Sequence, residues 1–399
     1  MLMFRFTFIL FFFAIGHAFS DGSTGVVDQN KNVFVLENDS LRITMINPAD
    51  DYGCRFNKGG WIKNIVLKDK NEQLLIGDSI FPNHPAFGLT EEYTPSVHLE
   101  EKQKDKSVRF KLGVGRVIRS GKSKFKDKPL QFFPWETKVN GPESLTFAQN
   151  AVSSKGYDYK LKKKFHLLGS TLHISNHLTN TGNETLSGNL YLHPFFNLKN
   201  DLNAGWFNIA GRKNRESVRV TAALKGSDGL FTENTKGKAV HWVATGNHET
   251  KSVTGMLCDV DFIKVDVWKF KECYAVEPFI KINVKPGETL SWNWRLLFGR
   301  GLSKVSDMNA HGMTEIKRTD TGIDVILLPS KKINHVTMRL RVLRRSGETV
   351  YEKVQKCGSA FPFKPVRMSF PSALKQKNGH KIQLDIISMG KTLIHIEEI

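Results

Sequence analysis

From Asn32 to about Gly301, apolar and polar residues alternate with a period of two in one short run after another: Val33 to Leu36, Leu41 to Met45 and Ile62 to Leu67 are the first three. Turn residues such as Asn180-Thr181-Gly182-Asn183 separate the runs. A side-chain period of two is that of a strand with one face buried, and the pattern holds no amphipathic stretch of three helical turns. Strands in series without helices between them predict a large antiparallel sandwich rather than a parallel α/β sheet. Near Leu302 the pattern changes. Ser303 to Thr321 reads as polar and irregular, which is how a boundary should look. A second β region follows with Ile323 to Leu328, Val336 to Val342, and a hairpin of Lys381 to Ile387 and Thr392 to Ile396 around Met389-Gly390.

Two stretches within the first region share one arrangement. Leu186, Gly188, Leu190 and Leu192 alternate with Ser187, Asn189, Tyr191 and His193, so His193 ends a strand on its polar face, directly before Pro194. In the second stretch Val276, Ile280, Ile282 and Val284 form the apolar face, and Glu277 stands on the other face before Pro278. Proline holds its predecessor extended and donates nothing to a ladder, so pairing should loosen where each side chain emerges, leaving it rigid yet reachable. A histidine and a carboxylate so placed can move a proton on and off a small polar substrate. The plainer reading is two exposed residues beside edge prolines.

His193-Pro194-Phe195-Phe196-Asn197-Leu198 resembles the His-x-Tyr-Phe-Asn-Leu signature of aldose 1-epimerases, the galactose mutarotases. Glu277-Pro278-Phe279 followed by Lys285-Pro286-Gly287-Glu288 is similar to that family's glutamate strand and Pro-Gly-Glu turn, and Gly59-Gly60-Trp61-Ile62 to its early Gly-Gly-x-Ile hairpin. The resemblance covers roughly residues 33 to 300. It implies an antiparallel β-supersandwich, residues 21–302, whose concave polar face holds a sugar. It also implies Glu277 as the base at the anomeric hydroxyl and His193 as the acid at the ring oxygen, chemistry that needs no metal or cofactor. Residues 303–399 lie outside it and have the length of a small immunoglobulin-like sandwich.

The chain departs from the family at several positions. The signature tyrosine is Phe195, and the family's Asn-Arg pair has no counterpart among Asn64 to Gly77, which leaves Arg55 and Arg116 as substitutes. For the aspartate that holds a substrate hydroxyl, the candidates are Asp261 and Asp266. The segment Phe81 to Tyr93, rich in proline, aromatic and acidic residues, reads as a loop that walls a site, with His84 and Glu92 as sugar contacts. Trp206 suits stacking on a pyranose face or, equally, the core. His173 and His177, on the polar face of Thr171 to Thr179, either line the same concavity or face solvent.

Composition changes the picture in three ways. Residues 1–20 carry Arg5 as their only charge, then an apolar run from Phe8 to Ile15 and Ala18-Phe19-Ser20 before Asp21, the pattern of a cleaved secretory signal; the run falls short of the roughly 20 residues that span a bilayer. A secreted or periplasmic protein is expected, with no membrane contact after cleavage. Four cysteines are too few for a disulfide scaffold; Cys258 and Cys273 either pair across an expected hairpin or stay as buried thiols, and no Cys and His spacing suggests a zinc site. Asn38 and Asn183 fit the glycosylation acceptor pattern. The formal charge of +19 favours acidic polymers, yet the lysines are scattered, Lys102 to Lys106 and Lys160 to Lys164 read as solvated faces and turns, and nothing suggests a nucleic-acid module. Three functions compete: an exported aldose 1-epimerase-like enzyme acting on a hexose or an oligosaccharide end, a carbohydrate-binding protein on the same fold, and a lyase or hydrolase of an acidic polysaccharide.

Overall fold

The computed structural model describes residues 27–28, 32–79, 86–94, 98–102, 106–120, 127–198, 201, 203–210, 217–224, 229–235, 237–270, 272–320, 322–371 and 381–398. The expected leader and His84 lie outside them. The described chain is all-β apart from one four-residue helix, Val220–Ala223. Its strands pair antiparallel throughout.

Two large sheets, of 11 and 9 strands among the described residues, form the main sandwich. Across the first, Ile62–Leu67, Leu89–Thr94, Leu186–Pro194, Cys273–Val284, Lys264–Phe270 and Leu230–Asn234 lie side by side in that order. The second sheet includes Ser144–Ala151, Tyr159–Leu168, Thr171–Asn180, Thr289–Arg300 and Ser252–Cys258. Alternation decides what goes between them. Leu186, Leu190, Leu192, Val276, Ile280 and Ile282 of the first sheet meet Leu161, Phe165, Ile174, Trp292 and Trp294 of the second in one core, all 3% exposed or less. Each aliphatic or phenyl side chain so buried contributes roughly 1.5 to 3 kcal/mol. A separate four-stranded sheet of His98–Lys102, Lys106–Lys111, Gly115–Ser120 and Lys128–Phe132 stands beside this sandwich.

Residues after Leu302 build two further four-stranded sheets around their own core of Val325, Leu327, Met338, Leu340, Phe370, Leu384 and Ile386. The segment read as irregular holds two strands, Asp307–Asn309 and Gly312–Thr319. Met308, Met313, Ile326 and Leu328 join the core of the large sandwich, with the Met308 sulfur against Gly255 and Leu328 against Gly299. Isolated apolar residues among polar ones hid these strands, because what they bury is another sheet's outer face.

All four cysteines are free. Cys258 ends a strand of the second sheet and Cys273 begins one of the first, so the hairpin expected to join them does not exist; Cys273 pairs instead with the strand of Lys264–Phe270.

Candidate functional site

The face of the first sheet that points away from the second is not open. The turn of residues 52–61 and residues 86–88 fold over it, fixed by Trp61 Nε1 donating to Phe87 O at 3.0 Å, Thr90 Oγ1 to Asn57 O at 2.8 Å and the Phe195 amide to Gly88 O at 2.8 Å. Where this turn meets the main core, Gly60 has a φ of +79°, and a Cβ there would lie 2.1 Å from the Phe165 ring. Under this cover Phe56, Trp61, Phe87 and Phe195 form a second apolar cluster, with Trp268 packed against it.

His193 and Glu277 meet inside that cluster. Nε2 of His193 lies 3.1 Å from Oε1 of Glu277. The imidazole stacks on Phe195 at 4.3 Å and is met edge-on by Phe56 at 5.1 Å and Trp268 at 5.6 Å. Only 1% of His193 and 5% of Glu277 is exposed, so the expectation of reachable side chains is corrected: the polar strand face carries a second layer, which the period of two cannot reveal.

Arg55 ties the pair to a second carboxylate. Its Nε donates to Glu92 Oε2 at 3.1 Å and its Nη2 lies 3.3 Å from His193 Nε2. Tyr191 Oη donates to the same Glu92 oxygen. Burial opposes the Arg55 charge, but Glu92, Tyr191 and Glu277 outweigh it and raise its proton affinity further. The Tyr191 phenol is pushed well above its ordinary range, by burial first and then by Glu92 and Glu277. Glu277 itself is raised to about 8: burial dominates, Glu92 and Asp266 add to it, and a hydrogen bond from Trp268 Nε1 and the nearby Arg55 oppose it. Nε2 of His193 thus faces both the Arg55 guanidinium and the Glu277 carboxyl, and burial favours the protonated form of that carboxyl. One proton between an acid and a base 3.1 Å apart can be held by either.

The remaining candidates separate cleanly. Glu92 is in the cluster, but on the strand Leu89–Thr94 rather than a loop, and it is completely buried against Arg55 and Tyr191. Asp266 lies across the ladder from Glu277, where it accepts from Thr232 at 2.8 Å and pairs with Lys264 at 2.5 Å. Asp261 is exposed in the preceding turn. Arg116 belongs to the separate sheet and pairs with Glu100 at 2.6 Å, a carboxylate also held by Ser153. Trp206 is a fully buried core residue of the second sheet, because its strand Gly205–Ile209 is buried along its whole length. His173 and His177 lie on the outer face of the second sheet, away from this cluster.

Trp268 and Tyr191 escaped the sequence reading as site residues. Lys264, Asp266 and Trp268 alternate with the buried Val265 and Val267 on the strand that pairs with the one bearing Glu277, so the polar alternation marked that face. Among the described residues no group of three or more His, Cys, Asp or Glu side chains could hold a metal ion.

No family model and no curated protein matches the chain. Among solved structures it is similar to a galactose mutarotase related enzyme from Lactobacillus acidophilus, at 13% identity over 69% of this chain and 100% of that one with a TM-score of 0.48. A galactose mutarotase-like protein from Lactobacillus casei shares 16% identity over 67% and 99% of the two chains, with a TM-score of 0.45. A putative aldose 1-epimerase from Escherichia coli K12 shares 13% over 67% and 99%, also at 0.45. Over about two thirds of its length the chain is thus similar to galactose mutarotase-like and aldose 1-epimerase structures.

Proposed function

We propose that this protein is an exported aldose 1-epimerase-like enzyme that interconverts sugar anomers with His193 and Glu277 as its acid and base. The cycle starts with the proton of the pair on His193: Glu277, as the carboxylate, takes the proton from the anomeric hydroxyl while the His193 imidazolium delivers its own to the ring oxygen. The bond from the anomeric carbon to the ring oxygen breaks, the open-chain aldehyde rotates about its bond to the next carbon, and the same transfers in reverse close the ring on the other face. Proton count is conserved over the cycle, which suits a pair that holds one proton between its members. The observation that carries this reading is the 3.1 Å contact of His193 Nε2 with Glu277 Oε1 inside an aromatic enclosure. Export rests on the leader pattern of residues 1–20.

A second reading, a fold kept without turnover, draws on the same contact. A sugar ring must part the pair and displace a side chain such as Trp268 to stand between them, and a purely structural cluster would never open. The test is polarimetric relaxation of freshly dissolved α-hexoses. Acceleration by the wild type that falls about 10²- to 10⁴-fold in Glu277→Gln, the usual loss of a general base, supports the enzyme. No acceleration by the wild type for any hexose would leave the second reading.

A further inference from the structure

The alternation of Tyr159–Leu168 sends Lys163 into the core and Lys160, Lys162 and Lys164 to the outer face of the second sheet. Spaced at every second residue, these three cations stand roughly 7 Å apart along one strand. Their cross-strand neighbours hold no acid: Lys160 lies between Asn150 and Thr179, Lys162 between Ala148 and His177, and Lys164 between Thr146 and Ser175. Lys138 extends the row of Lys164 by two strands. Glu136, in the row of Lys162 at the sheet edge, and Asp259, which is bound to Asn293, are among the acids that border this face.

At one end of the face His166, His173 and Arg295 lie directly across from one another on three adjacent strands. The module after Leu302 packs on the rest of the outer face and brings Lys331 to this corner, where Gly169 approaches it. The field is felt locally: the His173 imidazole is lowered to about 4, by burial first and then by Arg295, His166 and Lys331.

Several arginines elsewhere in the chain are paired. Arg339 and Arg341 share Asp385, Arg300 is held by Asp69 and Glu72, and Arg119 by Asp127. Among the described residues, Lys138, Lys160, Lys162, Lys164 and Arg295 make no ion pair. Like charges side by side on a sheet are destabilising, so an uncompensated row costs stability that a bound polyanion would restore.

We propose that this outer face binds a linear anionic polysaccharide, its sulfate or carboxylate groups lying along Lys160, Lys162 and Lys164 toward the Arg295 corner. The small polar side chains between the lysines, Thr146, Ser175 and Thr179, are partners for sugar hydroxyls. Nucleic acid fits less well, because the aromatic residues of these strands, Phe147, Phe165, Trp292 and Trp294, all point into the core and leave no surface on which bases could stack.

The test uses the full chain and heparin as the sulfated probe, with a polyuronate and a single-stranded oligonucleotide of matched charge beside it, each titrated over a series of salt concentrations. The triple variant Lys160→Ala/Lys162→Ala/Lys164→Ala is compared with Lys70→Ala/Lys238→Ala/Lys356→Ala, which removes the same charge from exposed positions elsewhere. Loss of three cation contacts should flatten the dependence of log affinity on log salt by roughly 2, with binding weakened at least about tenfold at low salt, while the control triple binds as the wild type does. Equal weakening by both triples would overturn the proposal in favour of a generally basic surface. So would tighter binding of the oligonucleotide than of both glycans. Neither variant touches His193 or Glu277, so polarimetric activity reports on that site separately.

Discussion

Glu91 and Glu92 are consecutive, yet their carboxylates serve opposite faces of one sheet. Glu91 points into the sandwich, where Lys163 Nζ lies 2.7 Å away and Trp294 Nε1 donates at 3.2 Å; Glu92 points to the covered face and accepts Arg55 at 3.1 Å. The two ion pairs sit back to back across the strand Leu89–Thr94. One crosses the core between the two sheets and the other braces the His193 and Glu277 pair.

The core pair predicts an asymmetric stability effect. Lys163→Met leaves a buried Glu91 carboxylate with only indole donors and should cost about 3 to 5 kcal/mol, whereas adding Glu91→Gln should recover much of that loss. Urea denaturation of the single and double variants measures both. Equal stability of wild type and Lys163→Met would mean that the pair contributes nothing.

Glu277 should impose a pH dependence on stability. Its carboxyl titrates near 4.5 in the unfolded chain and about 8 in the folded protein, so between these values the native state binds more protons than the unfolded one. The contribution is therefore fully present below about pH 4.5 and is lost as pH rises through about 8. Glu277→Gln cannot ionise and should flatten this part of the profile, as read by denaturation midpoints from pH 5 to 9.

Arg55 reaches Glu92 and His193 with different nitrogens of one planar fork. Lysine keeps the charge but offers a single point, so Arg55→Lys should let the imidazole shift and lower kcat/KM by up to about 100-fold with the fold intact. Polarimetry beside thermal melting separates the two effects. A variant with unchanged activity would remove Arg55 from the positioning of His193.

Removal of residues from Ser303 onward should destabilise the large sandwich. Met308, Met313 and Leu328 cover its outer face at Gly255 and Gly299, and truncation returns that apolar surface to water. A lower melting temperature and binding of an apolar dye are the expected outcomes; a truncated chain that melts like the whole would make the module independent.

The all-β class, most strand positions and the placing of His193 and Glu277 on faces away from the main core were legible in the sequence, because a period of two is a local property. That alternation also marked Lys160, Lys162 and Lys164 as outward, although Lys163 was misjudged with them: a charged residue at an inward position shows its purpose only when Glu91 of another sheet stands opposite. For Trp206, left between site and core, and for Arg116, taken as a substitute for the family's arginine, the reason is related. Their sequence surroundings allowed a site, but the ladder put Trp206 in the second sheet and gave Arg116 the carboxylate of Glu100. Whether the polar face was open depended on a turn more than a hundred residues upstream of His193, held over it by the bonds from Trp61 to Phe87 and from Thr90 to Asn57. Periodicity reports which side of a strand a residue takes; what lies on that side is set by segments distant in sequence, and so only the tertiary structure decided that His193 and Glu277 are enclosed and in contact.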